Sequence, residues 1–231
     1  MSQGPIALVG SGEYLPVMAE IENKLISGRG NRYVQIPTAA AEEGERSINY
    51  WRELGIAQAA RLGVEPVPLL ITDRAAANDE NLVKQIEGAG LIYMSGGNPH
   101  YLANTLRETK VWQAIYDAWL NGAALAGCSA GAMAIANHIP ELRTFSKSTT
   151  NGLGILPHVR VLPHFDRMFM NILGRLKHDK EIVVVGIDEN TALVGGLDEW
   201  EVQGLGSVWV FFEGSKEQFK AGQKLHLPKG N

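Results

Sequence analysis

The sequence predicts an α/β protein, a three-layer sandwich with a mostly parallel central sheet. Three observations predict it. Short apolar runs alternate with amphipathic stretches from the first residues onward. Each of the leading runs ends in a turn rich in Gly, Pro or Ser, the punctuation of strand-to-helix connections. The last third changes character, to closely spaced short strands that read as a small C-terminal antiparallel meander.

Taken in order, Ile6 to Val9 reads as a buried strand closed by Gly10-Ser11-Gly12-Glu13, and Val17 to Ile26 as a helix. Tyr33 to Ile36 is the second strand, followed by a Pro37-Thr38-Ala39-Ala40 loop. Ser47 to Leu62 is a helix, with Ile48, Trp51, Leu54, Ile56 and Ala59 tending to one side. Val64 to Ile71 carries the third strand, and Pro66 and Pro68, which lack an N–H for the ladder, put it at an edge. Asp79 to Glu87 is helical, and Leu91 to Met94 is a fourth strand leading to Ser95-Gly96-Gly97-Asn98. Tyr101 to Arg107 and Val111 to Asn121 are helical, and Ala123 to Gly127 is the fifth strand. Beyond it lie an Ala-rich helix (Ala132 to Ala136), a strand (Val159 to Leu162), a helix (Met168 to Leu176) and a strongly apolar strand (Ile182 to Ile187). Thr191 to Val194, Trp200 to Gln203 and Ser207 to Phe212 form the meander, and the polar tail from Glu213 is expected to be loose. With no repeat and no linker, the 231 residues are read as one domain.

Composition excludes several classes. A net charge of −4 with scattered Lys and Arg leaves no basic footprint for nucleic acid. No basic segment leads into an apolar stretch at Met1-Ser2-Gln3-Gly4-Pro5, so no signal peptide is expected. No apolar run approaches the roughly 18 residues a membrane span needs. The single cysteine excludes an intrachain disulfide and fits a reducing compartment, so a cytoplasmic protein is expected. No Cys/His spacing suits zinc, and Gly10-Ser11-Gly12 lacks the third glycine of a dinucleotide fingerprint, with Leu15 in its place. No cofactor and no metal are expected. Nothing in the sequence fixes the oligomeric state; a homodimer is the commonest outcome.

The chemistry starts at Gly127-Cys128-Ser129-Ala130-Gly131. G-x-S-x-G arises by chance in a chain with 26 glycines, but here a strand precedes it and a helix follows, which is the context of a nucleophile elbow. Such a turn crowds the backbone, so the flanking positions must be glycine. The N–H of Ala130 then faces a developing oxyanion, with the Gly97 N–H of the Gly96-Gly97-Asn98 loop as a second donor. A serine hydroxyl needs a base and a group to orient that base. Of six histidines, His164 stands at a strand's carboxyl end, the edge where Ser129 is expected; His138 reads as a helix cap, and His178 and His226 as surface residues. The orienting acid is Asp166, Asp188 or Glu189; the plain reading of Asp188-Glu189-Asn190 is a polar turn, and of Asp166 a helix cap. Asn98, Thr150 and Asn151 are candidate substrate-binding residues or, equally, ordinary turn residues. Cys128, one place before the elbow's apex, should point into the core rather than serve as a thiolate nucleophile.

Four blocks occur in a telling order: Gly127-Cys128-Ser129-Ala130-Gly131-Ala132, Gly152-Leu153-Gly154-Ile155-Leu156-Pro157, His164-Phe165, and Gly186-Ile187-Asp188-Glu189-Asn190-Thr191-Ala192-Leu193, with Gly96-Gly97-Asn98 upstream. Together they resemble the dipeptidase E and cyanophycinase family of serine peptidases, from the first strand to about Phe212. The resemblance implies a class I glutamine amidotransferase-like fold. It further implies a catalytic set of Ser129, His164 and Glu189, with Glu189 preferred to Asp188 as the third member. The order Ser…His…Glu differs from the Ser…Asp…His of α/β-hydrolases. Leu162-Pro163 stand where cyanophycinases usually carry Asp-Gln, and Met168 and Met170 where their arginines fall, with only Arg167 and Arg175 nearby. The implied activity is hydrolysis of small peptides, aspartyl dipeptides or isopeptides, through an acyl-enzyme. The alternatives are a cyanophycinase acting on β-Asp-Arg units and a non-catalytic peptide- or small-molecule-binding protein on the same scaffold.

Overall fold

A computed structural model describes residues 2–140, 149–167, 181–196 and 198–228. The strands β1 (Ile6–Val9), β2 (Arg32–Ile36), β3 (Glu65–Pro68), β4 (Ala89–Met94) and β5 (Ala124–Cys128) alternate with the helices α1 (Ala19–Ile26), α2 (Glu45–Leu62), α3 (Glu80–Lys84), α4 (Pro99–Leu106) and α5 (Lys110–Leu120). The helix α6 (Ala130–Ile135) follows β5 after a single residue. The strands β6 (His138–Pro140), β7 (Thr149–Asn151), β8 (Val159–Leu162), β9 (Val183–Ile187), β10 (Thr191–Gly195), β11 (Trp200–Gly204), β12 (Ser207–Phe212), β13 (Ser215–Lys220) and β14 (Lys224–Leu225) complete the described chain.

Among the described residues the main sheet has eight strands in the order β14-β11-β10-β1-β5-β4-β2-β3. The five strands from β1 to β3 in that order run parallel to their neighbours, as the strand–helix alternation requires. Their residues alternate strictly between the sheet's two faces. Ile6, Leu8, Val34, Ile36, Ile92, Met94 and Leu125 pack with Leu102, Leu106, Val111, Ile115 and Trp119 of α4 and α5. Ala7, Val9, Tyr33, Leu91, Tyr93, Ala124, Ala126 and Cys128 pack with Ile21, Leu25 and Ala59 of α1 and α2. Helices therefore cover both faces, and the three-layer expectation holds. β3 is the edge strand that its prolines call for. Helix starts follow side-chain chemistry: the carboxylate of Asp79 accepts from the Asn81 N–H, the amide oxygen of Asn98 from those of His100 and Tyr101, and the Thr109 hydroxyl from that of Trp112.

The C-terminal third departs from the expected meander. β10 and β11 extend the main sheet beyond β1 as antiparallel strands, whereas β12 joins a separate four-stranded sheet, β13-β12-β9-β8. The turn Gly204-Leu205-Gly206 carries the chain across, with Gly204 at φ +105°. β8 pairs in parallel with β9 in this second sheet rather than joining the main one. The polar segment from Glu213 is not loose where it is described. Glu213 and Gly214 both take positive φ, the geometry of a tight hairpin turn, and β13 pairs with β12 along its whole length. β14 then pairs with β11. The pattern hid these strands because β13 lies at an edge and presents mostly polar side chains to solvent. His138, read from the sequence as a helix cap, begins β6 and pairs with Asn151. The helix expected over Met168 to Leu176, together with His178, lies outside the described residues.

Candidate active site

Parallel registers bring the special loops together. Val9 is level with Cys128, Gly127 with Met94, and Met94 with Ile36. The loops after β1, β2, β4 and β5 therefore open at the same edge of the sheet, the edge where ligands bind in such folds.

Ser129 stands at the turn from β5 to α6 with φ 50° and ψ −108°, a conformation an L-residue adopts only under constraint. The constraint is visible. A Cβ on Gly127 would lie 2.4 Å from the Gly131 carbonyl carbon, and one on Gly131 would lie 2.2 Å from the Met94 oxygen. The Ser129 N–H donates to the Val9 carbonyl at 2.9 Å. Both glycines of G-x-S-x-G are thus required by close backbone approach, which is what the motif predicts of an elbow.

His164 follows β8, also with positive φ (51°), and its N–H donates to the Gly10 carbonyl at 3.3 Å. That bond joins the end of the four-stranded sheet to the crevice of the main sheet. The His164 Nε2 lies 3.1 Å from the Ser129 Oγ, and its Nδ1 lies 3.0 Å from the Glu189 Oε1. A carboxylate only accepts, so the ring proton belongs on Nδ1 and the Nε2 lone pair faces the serine hydroxyl. The second Glu189 oxygen lies 2.8 Å from the Arg167 Nη2.

The other two acids are engaged elsewhere. Asp166 accepts the Glu189 N–H at 2.9 Å. Asp188 accepts from the Ser207 N–H at 2.9 Å and from the Trp209 indole at 3.3 Å, so it supports the start of β12, and burial pushes its carboxyl upward. Cys128 is wholly buried and faces the core, as expected. Burial, and then the neighbouring Glu13 carboxylate, hold its thiol well above the ordinary value, which disfavours a thiolate.

The remaining candidates divide. Gly97 sits at φ +137°, and a Cβ there would lie 2.3 Å from the Ala39 oxygen, so only glycine fits. Ala130 opens α6 beside Ser129. Asn98 uses its amide oxygen to cap α4 and its amide nitrogen to donate to Glu42, so both ends of the group have protein partners. Asn151 pairs with His138, and its carbonyl accepts from Arg107; these contacts do not join it to Ser129, His164 or Glu189. Thr150 pairs with Ile139 in the same short ladder.

Sequence reasoning missed Glu13 and the Arg167–Glu189 pair. Glu13 accepts the Gly96 N–H at 3.0 Å and the Cys128 thiol at 2.9 Å, so one side chain touches two crevice loops. The signal is its place directly after the glycines of Gly10-Ser11-Gly12-Glu13. Those glycines also have a use: a Cβ on Gly10 would lie 2.2 Å from the Asp188 oxygen, so the β1 loop packs against the loop carrying Glu189. Among the described residues no helix is long and apolar enough to cross a membrane, and no group of three or more His, Cys, Asp or Glu side chains is arranged to hold a metal ion.

A hydroxyl at a strand-to-helix elbow, in line with an imidazole and a carboxylate, is an arrangement that can take part in acyl transfer. The chain belongs to peptidase family S51, whose model matches residues 6–201, and it is a serine-type peptidase. It is 30% identical over 190 residues to the cyanophycinase of Geminocystis herdmanii and 29% identical over 204 residues to that of a Nostoc strain. Those matches cover 76% and 80% of this chain but only 67% and 64% of the relatives. The crystal structure of a peptidase from an acI-B1 Actinobacterium superposes with TM-score 0.90 and 41% identity over 97% of each chain. A putative peptidase E from Listeria monocytogenes shares the fold, with TM-score 0.68 and 19% identity over 89% of this chain and all of that one.

Proposed function

We propose that the chain hydrolyses small peptides, with aspartyl dipeptides and isoaspartyl isopeptides as the first substrates to try, through a Ser129–His164–Glu189 triad and an acyl-enzyme. The observation that carries this reading is the unbroken line from the Ser129 hydroxyl to the His164 Nε2 and from the His164 Nδ1 to Glu189, at 3.1 and 3.0 Å. In this mechanism His164 takes the Ser129 proton as the oxygen attacks the scissile carbonyl. Glu189 holds the imidazole in the tautomer that attack requires and stabilises its charged form. The N–H groups of Ala130 and Gly97 receive the oxyanion. His164 returns the proton to the leaving amine, and a water molecule, activated by the same imidazole, releases the acyl group.

The likeness to cyanophycinases supports a second reading, cleavage of β-Asp-Arg units. Against it, Leu162-Pro163, Met168 and Met170 replace polar and basic residues at positions where cyanophycinases carry them, and the Arg167 guanidinium is paired with Glu189. A panel of Asp-Xaa dipeptides, isoaspartyl dipeptides and β-Asp-Arg, assayed with the wild type and with Ser129→Ala, tests both. The first reading expects turnover of an aspartyl or isoaspartyl dipeptide that disappears in the variant. Turnover of β-Asp-Arg alone favours the second, and turnover that survives in Ser129→Ala removes the serine from the mechanism.

A further inference from the structure

Glu13 belongs to the crevice but has no part in the triad. It follows the glycine-rich end of β1, and its half-buried carboxylate reaches across two neighbouring strands. Its Oε1 accepts the Gly96 N–H at 3.0 Å, beyond the end of β4. Its Oε2 accepts from the Cys128 thiol at 2.9 Å, at the end of β5. A Cβ built on Gly96 would lie 2.8 Å from Oε1 and 3.5 Å from the Ser129 Cβ, so the carboxylate sits next to the elbow.

The backbone that presents Glu13 is held firmly. Tyr14 is a non-glycine residue at φ 62°, a conformation that persists only when its surroundings impose it. Its buried ring packs against Tyr93 and Trp51, with centroids 5.3 and 6.3 Å away. The Leu15 N–H closes the turn onto the Gly12 carbonyl at 3.1 Å. The thiol that meets the carboxylate stays protonated, since burial and Glu13 raise it, and so remains a donor.

Gly97 is strung between two fixed points. On one side, Gly96 is tied to Glu13. On the other, the Asn98 N–H donates to the Ala39 carbonyl at 2.7 Å, and Gly97 itself is in close contact with Ala39. We propose that Glu13 is a positioning residue: by joining Gly96 to Cys128 it fixes the Gly97 N–H relative to the Ser129 hydroxyl, and so sets the geometry of the oxyanion site. The proposal rests on the reading of Ser129 as the nucleophile. An N–H bonded to a carboxylate is stronger than a neutral pair, which suits the anchor of a loop.

A fluorophosphonate probe tests this without knowledge of the natural substrate. In its reaction the Ser129 Oγ–P bond forms, the P–F bond breaks, fluoride leaves and the hydroxyl proton passes to His164. Loss of the anchor should lower the limiting rate of labelling by about 10–100-fold in Glu13→Ala, with the half-saturating probe concentration within about threefold of wild type. Glu13→Gln, whose amide oxygen still accepts from Gly96, should recover most of that rate. Cys128→Ala should be a few-fold slower than Cys128→Ser, which keeps a donor; this pair carries the test if Glu13→Ala does not fold. Wild-type rates in Glu13→Ala, a Gln variant as slow as the Ala variant, or equal rates for the two Cys128 variants overturn the proposal. Failure of the wild type to be labelled at Ser129 overturns the underlying reading, and this proposal with it.

Discussion

The backbone N–H of Glu189 donates to the Asp166 carboxylate at 2.9 Å, across 23 residues of sequence. The bond ties the loop after β9 to the turn that follows His164. The Glu189 side chain in turn meets the His164 imidazole at 3.0 Å. Glu189→Gln should lower kcat by about 10²–10⁴-fold, because an amide no longer dictates the imidazole tautomer. Asp166→Asn keeps an oxygen that can accept the same N–H and should cost less than about tenfold. Steady-state kinetics on both variants check this, and the reverse ranking would make Asp166 the orienting acid.

Ser129 holds a strained backbone, and strain relief has a sign. Glycine tolerates φ 50° with no steric cost, whereas alanine does not. Ser129→Gly should therefore be more stable than Ser129→Ala by about 1 kcal/mol, the strain relieved less the added chain entropy of glycine. Both should be inactive. Denaturant unfolding of the two variants measures the difference, and an alanine variant of equal or greater stability would show that the elbow stores no strain.

Gly186 controls the position of His164 at one remove. A Cβ on Gly186 would stand 2.6 Å from two atoms of the Phe165 ring. That ring is already held by Trp209 and Phe211, with centroids 6.0 and 5.7 Å away. Gly186→Ala must displace Phe165 and with it His164, its neighbour in sequence. Overpacking of this kind costs about 1–3 kcal/mol. A misplacement of the base should lower kcat by about 10–100-fold. Stability and kcat measured on one preparation decide the matter; a variant that keeps both would mean that the ring has room to move.

Glu22 gives the fold a pH dependence independent of catalysis. Its carboxyl accepts from the Tyr33 hydroxyl at 2.8 Å beneath the sheet, and burial raises it from 4.5 to about 7, opposed by hydrogen bonds from Tyr33 and Gln58. The folded state thus holds the proton more tightly than the unfolded chain. The resulting stability is complete below the ordinary carboxylate value and is lost as pH rises through about 7. The raised value corresponds to about 3 kcal/mol at most. Wild-type Tm should fall between about pH 5 and pH 8, relative to Glu22→Gln, which has no proton to lose. Parallel Tm profiles for the two proteins would contradict the assignment.

The parallel half of the fold was legible because β1, β2, β4 and β5 are buried on both faces and read as apolar runs, each ending in a marked turn. The elbow was legible for the same reason, since close packing of Gly127 and Gly131 leaves their identity no freedom. The C-terminal strands were legible individually but not in their partnership. Local alternation says which residues form a strand, and nothing local says that β10 and β12 enter different sheets. His164 was expected at the edge of Ser129's own sheet; it arrives instead from the second sheet, tethered through Gly10. Glu13 was missed because a carboxylate that bonds a backbone N–H and a thiol leaves no spacing pattern in the sequence.

The central claim is that the Ser129 hydroxyl is activated by His164. Its most direct test is peptide mapping by mass spectrometry after brief exposure to a fluorophosphonate. One adduct per chain, located on Ser129, absent from Ser129→Ala and strongly slowed in His164→Ala, is the predicted result. An unmodified Ser129 in folded protein, or labelling that proceeds as fast without the His164 imidazole, would contradict it.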